Sequence, residues 1–176
     1  MIKTNNPVLW LPVGFLTGLG FLNKYSILLL AAGIIPALFF SPYRRILASG
    51  YFLKAVLICL IIITPNLIWQ YDHAWPVLLH MSELKSSQLD LLGLGYFPAS
   101  LFTFCQGSIL IAVIGFAFLT FSKKEVHFRY MGVSALVVFL LMLCLKGKGY
   151  YGLVIMPVLF AAGGCCLEKY FTGSMR

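Results

Sequence analysis

Six apolar stretches alternate with polar segments along the chain. They cover roughly residues 7–22, 25–43, 51–69, 101–121, 130–145 and 150–167. Each contains about 16 to 21 residues, close to the ~20 that an α-helix needs to cross ~30 Å of hydrocarbon. The pattern predicts an all-α integral membrane protein with about six transmembrane helices, which form a single transmembrane domain over residues 1–176.

The longest polar segment between two of these stretches, residues 70–100, carries a second pattern. Apolar residues recur in it at near-helical spacing: Val77, Leu78, Met81, Leu84 and Leu91. This spacing predicts a short amphipathic helix between Pro76 and Leu92 that lies on the membrane surface. Such a helix could cover a cavity, although an interfacial helix with a solvated polar face explains the pattern equally well.

Glycine and proline positions predict how the membrane helices pack and bend. Gly14, Gly18 and Gly20 in the first stretch would let another helix approach closely. Proline removes a backbone hydrogen bond and bends a helix. Four prolines are predicted to lie inside helices: Pro12, Pro36, Pro65 and Pro157.

The composition supports a membrane protein independently, because 61% of the 176 residues are hydrophobic and only 10% are charged. A chain that crosses a bilayer repeatedly places alternate polar segments on opposite sides. Nine of the 13 basic residues fall in the odd-numbered segments: Lys3, Arg44, Arg45, Lys54, Lys123, Lys124, Arg129, Lys169 and Arg176. Cytoplasmic segments carry the excess of lysine and arginine, so both termini are predicted to be cytoplasmic.

The even-numbered segments are therefore predicted to face outward from the cytoplasmic (inner) membrane. They are residues 23–24, 70–100 and 146–149. The net charge of +8 is explained by this topology, because a nucleic-acid binder needs its basic residues on one continuous surface. We expect membrane lipid rather than nucleic acid as a partner.

The ionisable residues and cysteines argue against two further classes. Proton pumps and ion-coupled transporters keep ionisable groups near the middle of the membrane. All five acids here lie in polar segments or at the ends of apolar stretches: Asp72, Glu83, Asp90, Glu125 and Glu168. The five cysteines lie inside apolar stretches without a Cys-x-x-Cys pair or a nearby histidine, so no metal site or disulfide framework is predicted.

The last outward segment, Lys146-Gly147-Lys148-Gly149 followed by Tyr150 and Tyr151, has the chemistry of a phosphate site. Its ammonium groups, its unhindered glycine N–H groups and the start of the next helix would all attract an anion at the membrane surface. The tyrosine hydroxyls could hydrogen-bond a lipid phosphate or a sugar while their rings rest in the aromatic belt. Ordinary interfacial anchoring by lysine and tyrosine is the alternative.

Four ordered blocks of the chain resemble bacterial family 39 glycosyltransferases, which are relatives of the protein O-mannosyltransferases and of the lipid A aminoarabinose transferase. The blocks are Gly18–Ser26, Pro65–Gln70, His80–Leu84 with Gln88-Leu89, and Gly147–Tyr151 with Pro157. The resemblance implies part of a C-type glycosyltransferase transmembrane bundle. It also implies transfer of a sugar from a polyprenyl-phosphate donor to an acceptor on the extracytoplasmic side.

The resemblance suggests roles for individual residues. Lys148, Tyr150 and Tyr151 match the late lysine–tyrosine block, so they and the adjacent Lys146 are expected to contact the donor phosphate. Lys24 matches a lysine-containing block and is expected to add to the same pocket. We expect His80 and Glu83 to position the acceptor or the loop. No cofactor is required by these residues, although some relatives are reported with a divalent ion.

One departure from the family concerns the catalytic carboxylate. Family members begin with a span followed by a large outward loop that carries an acidic motif, and nothing ahead of Pro7 corresponds to it. We therefore expect the chain to be part of a larger enzyme and to require the missing N-terminal portion as a partner. Asp72 is the candidate substitute. The alternative function is a non-enzymatic multi-span scaffold or a lipid-handling or transport subunit.

Overall fold

The structure, a computed structural model, describes residues 6–89, 91, 93–122 and 126–173. These residues form α-helices and short turns, without a β-strand among them. The predicted all-α integral membrane fold is confirmed. Lys3, Lys123, Lys124, Glu125 and Arg176, which entered the predicted topology, lie outside the described residues, as does Asp90. The helices are α1 Trp10–Asn23, α2 Ile27–Phe39, α3 Gly50–Asp72, α4 Pro76–Leu84, α5 Tyr96–Cys105, α6 Ile109–Phe121, α7 Arg129–Cys144, α8 Gly149–Gly152 and α9 Met156–Gly173.

Three helical segments of the described chain are long and apolar enough to cross a membrane. They are Gly50–Asp72, Tyr96–Phe121 and Val126–Cys144. Two shorter apolar segments, Pro7–Asn23 and Ile27–Phe39, accompany them. At a rise of ~1.5 Å per residue, a helix the length of α3 extends over ~35 Å, which exceeds the ~30 Å hydrocarbon layer. The chain is a multi-pass membrane protein.

Helix α2 is shorter than the predicted span of residues 25–43 and ends at Phe39. The cause is the Ser41-Pro42 pair, because a residue that precedes proline is disfavoured in the helical region. The Ser41 hydroxyl replaces part of the lost helix hydrogen bonding. Its Oγ donates to the Leu38 carbonyl at 2.8 Å and accepts from the Tyr43 N–H at 3.0 Å.

Two other predicted spans differ from the structure in continuity. The segment predicted at residues 101–121 begins earlier, at Tyr96, and is interrupted by a turn at Gln106–Ser108 between α5 and α6. The segment predicted at residues 150–167 consists of the four-residue α8 and the separate helix α9.

Two of the four prolines lie inside α-helices as predicted, and two lie near helix starts. Pro157 is the second residue of α9 and Pro12 the third residue of α1, so both lie in a first helical turn, where a missing N–H costs little. The prediction that these two prolines lie inside α-helices is therefore wrong, because each lies near the start of its α-helix. Pro36 and Pro65 do lie inside α2 and α3.

The amphipathic helix predicted between Pro76 and Leu92 is present as α4, which ends at Leu84. A wider, π-helical turn over Lys85–Leu89 follows it. Leu78 and Leu79 are exposed on α4, whereas Val77 and Leu84 are half-buried. The helix therefore carries an exposed apolar surface, as an interfacial helix requires.

The chain divides into two compact units. Unit 1 contains the described parts of residues 1–28 and 38–91, and unit 2 contains the described parts of residues 29–37 and 92–176. In unit 1, α1 packs along α3 with its glycines in the contact. A Cβ atom on Gly14 would overlap the backbone of Ala55, and one on Gly18 would come within 3.0 Å of the Ile62 side chain. The predicted role of Gly14 and Gly18 in close helix packing is confirmed.

Unit 2 is built around an equally close crossing of α6 and α9. A Cβ atom on Gly115 would overlap the carbonyl of Leu159, and one on Gly163 would overlap the carbonyl of Ile111. Such glycine contacts bring two backbones together, which strengthens dispersion between helices that gain little from the hydrophobic effect in lipid. The buried core of unit 2 comprises Phe97, Leu101, Cys105, Ala112, Leu119, Ala135, Val138, Met142, Ile155, Met156 and Leu159.

Replacing Gly163 by alanine should destabilise unit 2, because the new methyl group would collide with the Ile111 backbone. Overpacking of this kind costs about 1–3 kcal/mol. The adjacent Gly164 is the matched control, since a Cβ there meets nothing within 4 Å. Denaturant titration in detergent micelles should show a lower unfolding free energy for Gly163→Ala and an equal or higher one for Gly164→Ala. Equal destabilisation by both variants would contradict the packing assignment.

Candidate functional site

The segment from Lys146 to Tyr151 starts at a defined helix end. Helix α7 closes with a Schellman motif, in which the Lys146 N–H donates to Leu143 O at 3.2 Å and the Gly147 N–H donates to Met142 O at 2.8 Å. Lys146 has a φ of 49° and occupies the left-handed position that usually holds glycine. The ammonium-bearing side chain at this position is therefore placed by the backbone of the helix end.

The glycines of this segment lie in close packing contacts. Gly147 and Gly149 are both buried, and the Gly147 N–H is used by the helix end. A Cβ atom on Gly149 would collide with Ser100 and lie 2.7 Å from the Leu101 amide nitrogen. The helix that follows is only the four-residue α8. The Gly147 N–H is therefore not available to a phosphate, and the side chains are the main candidate ligands.

Those side chains are Lys146, Lys148, Tyr150 and Tyr151, and all four are half-buried. We call them the Lys–Tyr cluster. The rings of Tyr150 and Tyr151 lie with their centroids 4.4 Å apart. Tyr150 lies in α8, outside the three helical segments that are long enough to cross a membrane. Its side-chain hydrogen bond with Tyr151, followed by partial burial and by the nearby Tyr151 and Tyr96 hydroxyls, raises the pKa of Tyr150 to about 12. Tyr150 is thus a neutral phenol at physiological pH.

An apolar cavity of about 280 Å³ lies next to this cluster in unit 2. Gly152, Ile155 and Met156, which follow the cluster directly, line it, and so does Leu101, against which Gly149 packs. Val113, Leu136 and Phe139 line the cavity and are also exposed, so it opens at the surface of the unit. The remaining lining residues are Phe97, Ile109, Ala112, Phe116, Ala135, Val138 and Leu159.

The other predicted site residues belong to unit 1. Lys24, Asp72, His80 and Glu83 are all exposed. Asp72 is the last residue of α3, and the neighbouring His73 ring stacks on Trp69 with centroids 4.4 Å apart. The Nδ1 of His73 lies 2.8 Å from the Trp69 carbonyl, so that ring nitrogen acts as a donor to the backbone.

A polar network at this end of unit 1 joins elements that the sequence pattern did not connect. The Nε2 of Gln70 donates to the Tyr25 hydroxyl at 2.9 Å, and that hydroxyl donates to the Asn66 Oδ1 at 3.1 Å. The Oε1 of Gln70 accepts from the Val77 N–H at 3.3 Å. Gln70 is buried, and its bonds tie the α1–α2 connection and α4 to α3. The sequence held one sign of this network. Asn66 and Gln70 are four residues apart, which places both on one face of a helix.

The structure therefore assembles the predicted residues into two groups. The Lys–Tyr cluster is contiguous in unit 2 and adjoins the cavity, whereas Lys24, Asp72, His80 and Glu83 lie in unit 1. The roles expected for all of them remain predictions. No set of three histidine, cysteine, aspartate or glutamate side chains suited to a metal ion occurs among the described residues.

Comparison with known protein families gives a match at the start of the chain. Residues 1–69 match the family model described as dolichyl-phosphate-mannose-protein mannosyltransferase. The relation to family 39 glycosyltransferases is confirmed. The match covers α1, α2 and most of α3, including the blocks around Lys24 and Pro65. The chain has no significant match to a curated protein or to a solved structure.

The match shows what residues 1–69 are similar to. They resemble membrane glycosyltransferases of the mannosyltransferase type. The matched residues include the Tyr25–Asn66 hydrogen bond, whereas α4 and the Lys–Tyr cluster lie beyond residue 69. Any role for the later residues in sugar transfer is therefore argued below from their own chemistry.

The Tyr151→Phe variant tests the hydrogen bond that holds the Tyr150 proton. Without that bond and without a second ionising phenol beside it, the pKa of Tyr150 should fall from about 12 towards its ordinary value of 10.0. Alkaline titration followed by phenolate absorbance should show this shift. The Tyr151→Phe variant and the Tyr150→Phe/Tyr151→Phe double variant differ only at Tyr150, so the difference between their titrations gives the pKa of Tyr150.

The pH dependence of stability follows from the same shift. The folded chain holds the Tyr150 proton more tightly than the unfolded chain, so the contribution is complete below pH 10.0 and is lost as the pH rises through about 12. A Tyr150 that titrates at its ordinary value in the unmutated chain would contradict this geometry.

Proposed function

We propose that this chain binds a polyprenyl-phosphate-linked sugar donor and serves as part of a membrane glycosyltransferase that acts on the extracytoplasmic side. The observation that carries the proposal is that the Lys–Tyr cluster is followed directly in the chain by residues that line the apolar cavity of unit 2. Cationic and hydroxyl groups are followed along the chain by residues that line an apolar space, and an anionic amphiphile needs both.

The Lys–Tyr cluster fits the phosphate of such a donor. Lys146 and Lys148 offer positive charge, and half-burial lowers the local screening that weakens exposed ion pairs. In sugar transfer, the bond between the anomeric carbon and the phosphate oxygen breaks while the acceptor oxygen bonds to that carbon. The departing phosphate gains negative charge, which a preorganised ammonium group stabilises. The neutral Tyr150 hydroxyl is able to donate a further hydrogen bond to it.

The cavity fits the first part of the prenyl chain. Its lining is aliphatic and aromatic, and its opening at Val113, Leu136 and Phe139 would admit a chain from the surrounding hydrocarbon. Burial of apolar surface contributes ~25 cal/mol per Å², so even a short length of chain adds useful affinity. The phosphate would then be held at the cluster by its own tail.

The residues of unit 1 are proposed to contact substrate. Lys24 would offer positive charge to a phosphate, while His80 and Glu83 on α4 would position the acceptor or the loop. All three are exposed and therefore accessible to a substrate. Asp72 is the proposed alternative base, since proton removal from an acceptor hydroxyl needs a carboxylate or a similar group. The catalytic carboxylate of the family would otherwise come from a partner segment of the larger enzyme.

We further propose that the membrane is the cytoplasmic (inner) membrane and that both termini are cytoplasmic. The excess of basic residues in the odd-numbered segments supports this orientation. It places residues 23–24, 70–100 and 146–149 on the outer side, where a sugar already carried across on a lipid would be used.

A non-enzymatic lipid-handling subunit is the second candidate function. It is favoured by one observation, which is that the segment from Lys146 to Tyr151 contains no carboxylate. Such a protein would use the same cluster and cavity to bind a lipid phosphate without sugar transfer. Transfer activity of the assembled enzyme distinguishes the two candidates.

Charge reversal at Lys148 should weaken binding of a polyprenyl phosphate. Loss of one charge-assisted hydrogen bond costs about 1.5–3 kcal/mol, so the dissociation constant should rise about tenfold or more in lipid nanodiscs. Lys85→Glu in unit 1 is the control with the same change of net charge. A neutral polyprenol of equal length should bind the unmutated chain and Lys148→Glu equally.

Lys146→Gly provides a variant that should remain well folded, because glycine suits the positive φ of residue 146. It should also bind the lipid phosphate more weakly, since it removes a cation. The phosphate site is ruled out if Lys148→Glu and Lys85→Glu bind alike. Labelling of a cysteine at position 148 from the cytoplasmic side would rule out the proposed orientation.

Filling the cavity should weaken binding of the long-chain lipid selectively. Ala135 lines the cavity and is buried, so Ala135→Leu places three further carbon atoms in the space for the prenyl chain. At ~0.8 kcal/mol per buried methylene, the dissociation constant should rise about tenfold or more. Ala161→Leu on the exposed side of α9 is the matched control. A water-soluble short-chain prenyl phosphate should bind both variants alike, and equal loss for both lipids would contradict the assignment.

A further inference from the structure

Three basic residues lie where α3 begins in unit 1, and we call them the basic cluster. Arg44 and Arg45 belong to a short helical turn, Arg44–Ile46, and Lys54 is the fifth residue of α3. All three side chains are exposed. Their positive charges are therefore accessible from the surface of the unit.

Trp10 of α1 holds the two parts of the basic cluster together. Its indole N–H donates to the carbonyl of Ile46, the last residue of the short turn, at 3.2 Å. Its ring packs edge-on against Phe52, with centroids 4.8 Å apart, and Phe52 is the third residue of α3. Trp10 is itself buried. The turn that carries the arginines is thus fixed beside the part of α3 that carries Lys54.

No carboxylate lies near the basic cluster in the described part of unit 1. The two acids there are Asp72 and Glu83. Asp72 is the last of the 23 residues of α3, roughly 33 Å from the first at ~1.5 Å per residue. Glu83 lies on α4, which Gln70 ties to that same far end of α3. The positive charge of the cluster is therefore not neutralised within the unit, and it attracts an anion.

The basic cluster lies at the edge of the hydrocarbon layer. Lys54 belongs to the segment Gly50–Asp72, which is long and apolar enough to cross a membrane. Its ammonium group lies 5.0 Å from the centroid of the Tyr51 ring, so the side chain is directed back towards the start of the helix. A lysine near the end of a membrane helix brings its charge to the interface in this way. The charge then lies at the depth of the lipid phosphates.

Exposed apolar side chains accompany the basic cluster. Phe39 and Phe40 shortly precede the arginines, and their rings pack edge-on with centroids 5.3 Å apart. Leu53, next to Lys54, is also exposed. An anionic phospholipid matches both features, because its phosphate meets the cations while its acyl chains cover the apolar side chains. An acidic protein segment would match the charge alone.

We propose that the basic cluster is a binding site for the headgroup of an anionic phospholipid. Arginine binds phosphate oxygens through two parallel hydrogen bonds, and Lys54 adds a third positive charge. The site belongs to unit 1 and shares no residue with the Lys–Tyr cluster, so it does not depend on the proposed function. In the proposed orientation it faces the cytoplasmic leaflet, where anionic lipids attract basic residues beside membrane helices.

Quenching of Trp10 fluorescence by brominated lipids tests the proposal at the site itself. Trp69→Phe and Trp75→Phe leave Trp10 as the single tryptophan of the 176-residue chain. The chain is placed in phosphatidylcholine vesicles that contain a minor fraction of one brominated lipid. Brominated phosphatidylglycerol, which is anionic, should quench Trp10 more strongly than the same fraction of brominated phosphatidylcholine.

Charge-removing variants locate the preference. Each basic residue near a membrane surface contributes about fivefold to the affinity for anionic lipid. Arg44→Gln/Arg45→Gln should therefore lower the preference for phosphatidylglycerol about tenfold or more, and Lys54→Gln about fivefold. Lys85→Gln removes one exposed charge beyond α4 and is the matched control, which should keep the preference. Added salt should weaken the preference of the unmutated cluster, because it screens exposed charges.

Two further experiments identify the ligand and separate the two proposed sites. Glycerol 3-phosphate carries a phosphate without acyl chains, and an excess of it should leave the quenching by brominated phosphatidylglycerol unchanged. Lys148→Glu, which tests the Lys–Tyr cluster, should also leave the preference at Trp10 unchanged. Failure of the polyprenyl-phosphate site is thereby distinguishable from failure of the phospholipid site.

Native mass spectrometry of the chain with all three tryptophans gives a second measurement, which applies even if the single-tryptophan chain does not fold. Arg44→Gln/Arg45→Gln should retain fewer phosphatidylglycerol molecules than Lys85→Gln. The proposal is overturned if these two variants bind phosphatidylglycerol alike. It is also overturned if the two brominated lipids quench Trp10 equally, or if glycerol 3-phosphate abolishes the difference between them.

Discussion

Every backbone N–H and carbonyl group that enters hydrocarbon has to find its hydrogen-bond partner within protein, and the architecture of this chain follows from that constraint. It accounts for a structure built from helices and turns. It also accounts for the way those helices end. Ser41 supplies a hydroxyl beyond α2, α3 and α7 close with bonds back to their last turns, and Ser108 bonds across the interruption that follows α5.

The candidate site is a product of those helix ends. The segments that follow α3 and α7 begin with the same hydrogen-bond pattern. In each, a residue other than glycine takes the left-handed position, namely Ala74 after α3 and Lys146 after α7. Gly149 then brings the chain against Ser100 and Leu101. The backbone conformation thus places the Lys–Tyr cluster beside a cavity that is lined by residues from five helices.

Much of the fold could be predicted because a helix that crosses lipid needs a long run of apolar residues, and such runs are visible in the sequence. The ranges of α3 and α7 agree with the predicted spans within a few residues, and the packing roles of Gly14 and Gly18 followed from residue size. The interruption at Gln106 was not predicted, because three polar residues hardly change the mean hydropathy of a 26-residue segment. The lysines and tyrosines were visible in the sequence, but the cavity was not, since its walls come from residues as distant as Phe97 and Leu159.

Gln70 links two parts of unit 1 that are distant in sequence, α4 and the α1–α2 connection. Its buried amide donates a hydrogen bond to the hydroxyl of Tyr25, beside Lys24, and accepts one from Val77 in the first turn of α4. Tilting α4 would strip this amide of its acceptor bond, and a buried amide left half-paired is costly. The two ends of one buried side chain therefore hold α4 and the α1–α2 connection in fixed positions relative to α3.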